Sequence, residues 1–186
     1  MREKLEKIKV LAMDIDGTLT DGTLVFHGES QIKLFNVYDG LGIRLAMNAG
    51  LAIAWVTGNI SDSVTKRAES LGLKEVYQGS RFKAVTIKEI AEKHGITTDE
   101  IAFVGDDIND IPALRVCGFA VAVANAVPEV KAIADYITET PGSKGAVREV
   151  IELILKTQGR WDDAVEAFLA MLEREQAAKS EGPGVN

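Results

Sequence analysis

The stretch Val10-Leu11-Ala12-Met13-Asp14-Ile15-Asp16-Gly17-Thr18-Leu19-Thr20-Asp21-Gly22 decides the fold. Val10 to Met13 are apolar without interruption, the pattern of a short strand buried on both faces. Asp14 and Asp16 follow at once, and Gly17, Thr18 and Thr20 then break both helical and strand periodicity. Alternate residues of an extended chain point to the same side, so the two carboxylates can address one ion or one phosphate. The C-terminal end of a buried strand is where open α/β sheets build their sites. A polar strand-to-loop cap would look the same in isolation, so the rest of the chain has to decide.

The chain has 186 residues, 46% of them hydrophobic and 26% charged, enough for one hydrophobic core with small additions. A formal net charge of −7 predicts no nucleic-acid partner, because a phosphate backbone calls for clustered Lys and Arg. An anionic small molecule remains admissible, since a bound metal reverses the local field in a cleft. The single Cys117 excludes an intrachain disulfide and a Cys-rich metal site. No run is long and apolar enough to span a bilayer, and residues 1–14 lack the apolar segment and cleavage site of a secretory signal. The expected location is cytoplasmic, with no membrane partner.

Beyond Gly22, two short alternating runs, Leu24/Phe26 and Ile32/Leu34/Asn36, flank His27-Gly28-Glu29-Ser30. They predict a β-hairpin over about residues 23–37, a small flap beside the carboxylates whose apolar face is available for a subunit contact. A helix over 41–48 leads to the apolar run 51–56, which ends in Thr57-Gly58-Asn59. Ser61 or Asp62 starts a helix closed by Gly72, and a short strand over 74–77 precedes a helix over 82–94 closed by Gly95. The apolar run 101–104 enters Gly105-Asp106-Asp107. A short helix over 109–116, a strand over 119–123, a short helix over 128–134, a strand over 136–138 and a helix over 145–156 follow. Nearly all-apolar strands alternating with helices predict an α/β fold, a Rossmann-like parallel sheet flanked by helices on both faces. Asp14/Asp16, Thr57 and Asp106/Asp107 then share one rim of the sheet. After Gly159, Trp161, Val165, Phe168, Leu169 and Leu172 recur at helical spacing, so an amphipathic helix is expected over 160–176 and a frayed tail over 177–186. The expected division is one domain over 1–159 and a C-terminal helix with its tail over 160–186.

Asp14-Ile15-Asp16-Gly17-Thr18-Leu19-Thr20, then Thr57, then Lys83, then Gly105-Asp106-Asp107-Ile108-Asn109-Asp110 together resemble, in order and at strand ends, the four motifs of the haloacid dehalogenase-like phosphatases. Within that superfamily, residues 9–159 resemble the compact branch that acts on 3-deoxy sugar-acid phosphates. The likeness extends through the hairpin, Phe35 to Gly42, Tyr77-Gln78-Gly79, Val121 to Ala126 and Gly145 to Glu149. The hairpin stands where larger members insert a cap, so no large cap domain is expected. The resemblance implies a magnesium-dependent phosphatase, with 3-deoxy-D-manno-octulosonate 8-phosphate as the expected substrate. It also implies self-association as a homotetramer. One departure stands out. After Thr57-Gly58 the eight-carbon enzymes of the branch carry Arg and the nine-carbon enzymes Glu, whereas this chain has Asn59. A nonulosonate 9-phosphate or another phosphosugar is therefore the alternative substrate.

By the same resemblance, Asp14 is the nucleophile and Asp16 the general acid and base. Mg2+ is expected on the Asp14 and Asp106 carboxylates and the backbone carbonyl of Asp16. Thr57 offers a hydroxyl to the phosphoryl group and Lys83 an ammonium. Asp107 and Asp110 orient water ligands and Lys83, and Asn109 holds the loop. Gly58, Asn59 and Arg67 are expected to face the substrate, Arg67 at its carboxylate. Trp55 is expected in the core, His27 at an exposed hairpin tip, and His94 at a helix C-cap. A phosphotransferase is disfavoured because no cap can hold a second acceptor. A non-catalytic regulatory domain is disfavoured by the intact Asp14, Asp16, Lys83 and Asp106, and a receiver domain by Asp14-Ile15-Asp16 and the early hairpin.

Overall fold

The computed structural model describes residues 1–28 and 30–180. A short helix α1 (Arg2–Lys7) leads into β1 (Val10–Met13), whose four side chains are all buried. Parallel to it on one side runs β4 (Ala52–Val56), with Met13 opposite Trp55, and on the other β6 (Ile101–Gly105), with Met13 opposite Val104. The sheet continues through β5 (Val76–Tyr77) beyond β4 and through β7 (Phe119–Ala122) and β8 (Tyr136–Ile137) beyond β6, giving the order β5-β4-β1-β6-β7-β8. All five pairings are parallel. Leu11, Ala12, Met13, Trp55, Phe103 and Phe119 are fully buried, as both-face coverage by helices requires. The α/β sheet expected from the sequence is the one observed.

Chain progression runs from β1 outward to β4 and β5, then returns to β6 and continues the other way. That reversal at β1 opens a crevice at the C-terminal ends of the central strands, where α/β sheets bind ligands. It sets the loops after Met13, Val56 and Gly105 side by side.

The connecting helices are α2 (Val37–Asn48), α3 (Asp62–Leu71), α4 (Lys83–His94), α5 (Ile111–Leu114), α6 (Pro128–Lys131) and α7 (Ala146–Thr157). α3 and α4 end on Gly72 and Gly95, both left-handed. α2 starts a turn earlier than expected because Asn36 caps it, its side chain accepting from Tyr38 N at 2.8 Å. Asp39, inside that first turn, is buried and accepts from Arg148 N at 2.9 Å, so it caps α7 across the fold.

The hairpin consists of β2 (Val25–His27) and β3 (Ser30–Ile32), paired antiparallel apart from the main sheet. Its exit is pinned by Phe35, whose ring stacks on Trp55 at 5.8 Å and 6°. α8 (Trp161–Ser180) lies beyond α7. It is tied down where Trp161 sits under the guanidinium of Arg148 and the ammonium of Lys156, and where Arg44 lies over Phe168. Helix therefore continues through residues 177–180, where fraying was expected, while residues 181–186 lie outside the described residues. His94 differs too: its ring pairs with Glu75 at 2.8 Å instead of capping its own helix. Among the described residues no helix is long and apolar enough to cross a membrane.

Candidate active site

Asp14 is the first residue past β1, and its backbone N–H donates to Val104 O at 2.9 Å, which ties it to β6. Its side chain is buried and faces Lys83, the first residue of α4: Nζ lies 2.6 Å from Asp14 Oδ1. The same ammonium lies 2.5 Å from Asp110 Oδ1. Asp110 closes the turn after β6, where its other oxygen accepts from Asp106 N at 2.9 Å and Asp107 N at 3.3 Å. Asp106 completes the group and accepts from Thr18 Oγ1 at 3.1 Å.

Carboxylate oxygens of Asp14, Asp106 and Asp110 lie within 4.8 Å of one another. At an effective dielectric near 20 each such pair repels by roughly 3 kcal/mol or more. Lys83 neutralises one of the three charges, leaving two. Burial, then the Asp110 charge, drives the Asp14 carboxyl well above the usual carboxylate range against the pull of Lys83. The same two causes push Asp106 up to about 7. Burial opposes the charge on Lys83, but Asp14 and Asp110 more than offset it and raise the ammonium's pKa. Two unbalanced charges on hard oxygen donors fit a divalent cation such as Mg2+.

Two glycines make this density of carboxylates possible. Gly17 has φ +99°, and a Cβ there would stand 2.0 Å from Asp106 Oδ2. A Cβ on Gly105 would stand 2.6 Å from the Asp110 carboxylate. The loop at residues 140–145 braces the other side of the Asp14 turn: Ser143 N donates to Thr18 O at 2.9 Å, and Asn36 Nδ2 to Ser143 O at 2.9 Å.

In front of the cluster lies a cleft of about 460 Å3, walled by Asp14, Asp16, Thr57, Gly58, Asn59, Asp107 and Asn109 among others. Thr57 is buried, and its hydroxyl accepts from Asn59 N at 3.2 Å, which leaves its own proton to donate. Asp16 has both oxygens engaged. Oδ2 accepts from Asn59 Nδ2 at 2.9 Å, and Oδ1 pairs with Lys33 from the flap. A wider groove of about 1030 Å3 at the opposite end of the sheet, beside Ile8 and Gln158, mixes Arg2, Lys7 and Arg160 with Glu6, Asp99 and Glu100. Among the described residues it holds no comparable carboxylate cluster.

The structure thus gathers Asp14, Asp16, Thr57, Gly58, Asn59, Lys83, Asp106 and Asp110 at one rim. Asp107 and Asn109 sit at the exposed mouth. Asp107 accepts from Ile108 N at 2.7 Å, and the loop is held by Asp110 rather than by Asn109. Arg67 is outside the cleft wall, its guanidinium packed where a Cβ on Gly40 would meet Nη2 at 2.2 Å. Lys33 is the residue that sequence reasoning missed. The one available signal was a lone charge between Ile32 and Leu34 in a hairpin next to a carboxylate pair.

An acidic cluster with a buried lysine at the switch point of a parallel sheet, facing a polar cleft, defines a phosphoryl-transfer type of site. Residues 53–151 match the family model of haloacid dehalogenase-like hydrolases, and the chain belongs to that family. It is similar to the 3-deoxy-D-manno-octulosonate 8-phosphate phosphatase KdsC of Escherichia coli strain K12, with 41% identity over 163 residues, 87% of this chain and 86% of that one. It also resembles the crystal structure of the Moraxella catarrhalis 3-deoxy-D-manno-octulosonate 8-phosphate phosphatase in complex with magnesium, phosphate and KDO (TM-score 0.86, 39% identity, 90% of this chain and 97% of that one). The cobalt-bound Haemophilus influenzae phosphatase is comparably close (TM-score 0.85, 38% identity, 89% and 99%).

Proposed function

We propose that the chain is a magnesium-dependent phosphomonoester hydrolase acting on 3-deoxy-D-manno-octulosonate 8-phosphate in the cytoplasm. The observation that carries this reading is the packing of Asp14, Asp106 and Asp110 around Lys83 at the floor of a cleft that also presents Asp16 and Thr57.

In this reading one oxygen of Asp14 attacks phosphorus in line with the sugar oxygen, the bond to the sugar breaks and an aspartyl phosphate forms. Asp16 gives its proton to the departing sugar oxygen. It then takes one from the water that attacks the aspartyl phosphate, which releases inorganic phosphate and restores Asp14. Thr57 donates its hydroxyl proton to a phosphoryl oxygen. Lys83, held by Asp110, fixes Asp14 and sets a positive charge beside the transferring group. The Asp14 and Asp106 carboxylates and the Asp16 carbonyl would hold Mg2+, which would supply charge compensation for the phosphoryl oxygens.

Gly58 and Asn59 line the cleft and face the sugar in this reading. Arg67, whose guanidinium packs at Gly40, is assigned to the substrate carboxylate in this reading. Asn59, which is neither the Arg of the eight-carbon nor the Glu of the nine-carbon enzymes, supports a second reading, a 3-deoxy nonulosonate 9-phosphate. Exposed Leu24, Val25, Phe26, Ile32 and Leu34 on the flap form the apolar surface through which four copies associate in this reading.

Phosphate release across a panel of phosphorylated sugar acids, with Mg2+ and with chelator, tests the proposal. Metal-dependent release from the octulosonate ester, abolished by Asp14→Asn, is the expected result. Equal behaviour of wild-type and Asp14→Asn proteins on every ester contradicts it.

A further inference from the structure

The flap is patterned inside out. In a hairpin lying on a protein, alternate apolar residues face inward and charged ones outward. Here Ile32 and Leu34 are 44% and 68% exposed, whereas Lys33 between them is 8% exposed. Its side chain is tucked under the flap against Asp16 Oδ1. A buried ammonium is costly unless paired, and Asp16 is the acidic partner that Lys33 has among the described residues. The flap itself is seated independently: Ser63 Oγ in α3 donates to Gln31 O at 2.5 Å, and Phe35 stacks on Trp55. The backbone on either side of Lys33 is therefore fixed, and the ammonium is delivered to one carboxylate oxygen.

The geometry points to Lys33 as a positioning residue that, with Asn59, holds the Asp16 carboxyl in the orientation for proton transfer to the leaving oxygen. This inference rests on the phosphatase reading and deepens it. Lys33 occupies Oδ1 and Asn59 Nδ2 reaches Oδ2 at 2.9 Å, so the carboxyl plane is fixed from both sides. Oδ2 is the oxygen on the side of the cleft-lining Asn59, so it is the one placed to hand a proton to the leaving oxygen. As the bond from phosphorus to the sugar oxygen breaks, that proton passes from Asp16 Oδ2 to the leaving oxygen; the attacking water later returns one. Without Lys33 the carboxyl is held by Asn59 at Oδ2 alone and its plane is no longer fixed, while Asp14, Lys83, Asp106 and Asp110 keep their places.

A series of simple phosphomonoesters without a carboxylate, running from p-nitrophenyl phosphate to alkyl phosphates, separates this role from substrate binding. General acid catalysis matters for a poor leaving group and little for a good one. For the wild-type protein with Mg2+, kcat/KM is expected to vary weakly with leaving-group basicity. Lys33→Met is expected to lose about 100-fold on the alkyl esters and less than about threefold on p-nitrophenyl phosphate, so the dependence becomes steep. Lys33→Gln, which keeps a polar end in the same space, carries the same expectation, and Lys33→Arg should restore the shallow dependence. A uniform loss across the series, or no loss, overturns the positioning role. No phosphate release by the wild-type protein either from these esters or from the phosphorylated sugar acids overturns the phosphatase reading itself.

Discussion

Lys83 Nζ stands 2.6 Å from Asp14 Oδ1, with both groups buried and the lysine backed by Asp110 at 2.5 Å. One ammonium is thereby shared between a carboxylate that faces the cleft and one that does not. Asp110 also holds the backbone N–H groups of Asp106 and Asp107, so the lysine, the nucleophile and the metal-facing loop form one unit. Replacing Asp110 with Ala removes the acceptor of the Asp106 and Asp107 N–H groups and one of the two carboxylates around Lys83, and it also relieves part of the repulsion on Asp14 and Asp106. The expected net cost is about 1–3 kcal/mol of stability, read by urea denaturation. A loss under about 1 kcal/mol would mean that the turn holds itself.

The charge imbalance in the cluster gives stability a definite dependence on pH. Asp106 is raised to about 7 in the folded protein, and Asp14 is raised as well, while an unfolded aspartate titrates near 3.9. A raised carboxyl favours folding below its unfolded pKa, and that contribution is lost as pH climbs through the folded value. With chelator present, the melting temperature should therefore fall between pH 5 and pH 8. Mg2+ should stabilise more at pH 8 than at pH 5, because binding requires the carboxylates ionised. Equal stabilisation by Mg2+ at both pH values would contradict the assignment of a metal to these groups.

Gly17→Ala tests the close approach at the heart of the site. The new Cβ would lie 2.0 Å from Asp106 Oδ2 in a backbone with φ +99°, so either the turn or Asp106 must move. Activity should fall at least about 100-fold, since a displacement near 1 Å can cost that much. Isothermal titration should show weakened Mg2+ binding in the same variant. Unchanged Mg2+ affinity would mean that Asp106 is not a ligand.

Asp39→Ala removes a cap without touching the cleft. Asp39 accepts from Arg148 N at the start of α7, and loss of a cap costs about 1 kcal/mol, up to about 2. The midpoint of urea unfolding should drop accordingly while kcat stays at the wild-type value. A matching fall in kcat would show that α7 transmits to the site.

Much of this architecture was legible in the sequence because the same residues carry local and global signals. Met13-Asp14, Val56-Thr57 and Gly105-Asp106 each mark a sharp change from apolar to polar, and each falls at a strand end. Gly72 and Gly95 mark helix ends because a left-handed residue without Cβ penalty is needed there. What was not legible depended on contacts between distant elements. Tyr38-Asp39-Gly40 read as the opening of the helix, but nothing in the sequence said that Asp39 is buried, which only its partner in α7 makes tolerable. Lys33 was hidden because alternation marks Ile32 and Leu34 as one face of the hairpin without saying that the opposite face meets a carboxylate. Asp107 and Asp110 are equivalent in sequence, but the tight turn after Gly105 points one outward and the other at Lys83. Helix continues through residues 177–180 although the small and polar residues there carry no stop signal that composition alone can read.

The central claim is that Asp14 becomes phosphorylated. Acid quenching during turnover of 3-deoxy-D-manno-octulosonate 8-phosphate with Mg2+, followed by borohydride reduction and mass spectrometry of the peptide containing Asp14, measures this directly. Homoserine at position 14, the product of reducing an aspartyl phosphate, is expected in the wild-type protein and none when substrate is omitted. Phosphate release proceeding at the normal rate with position 14 unmodified under the same quench would contradict it.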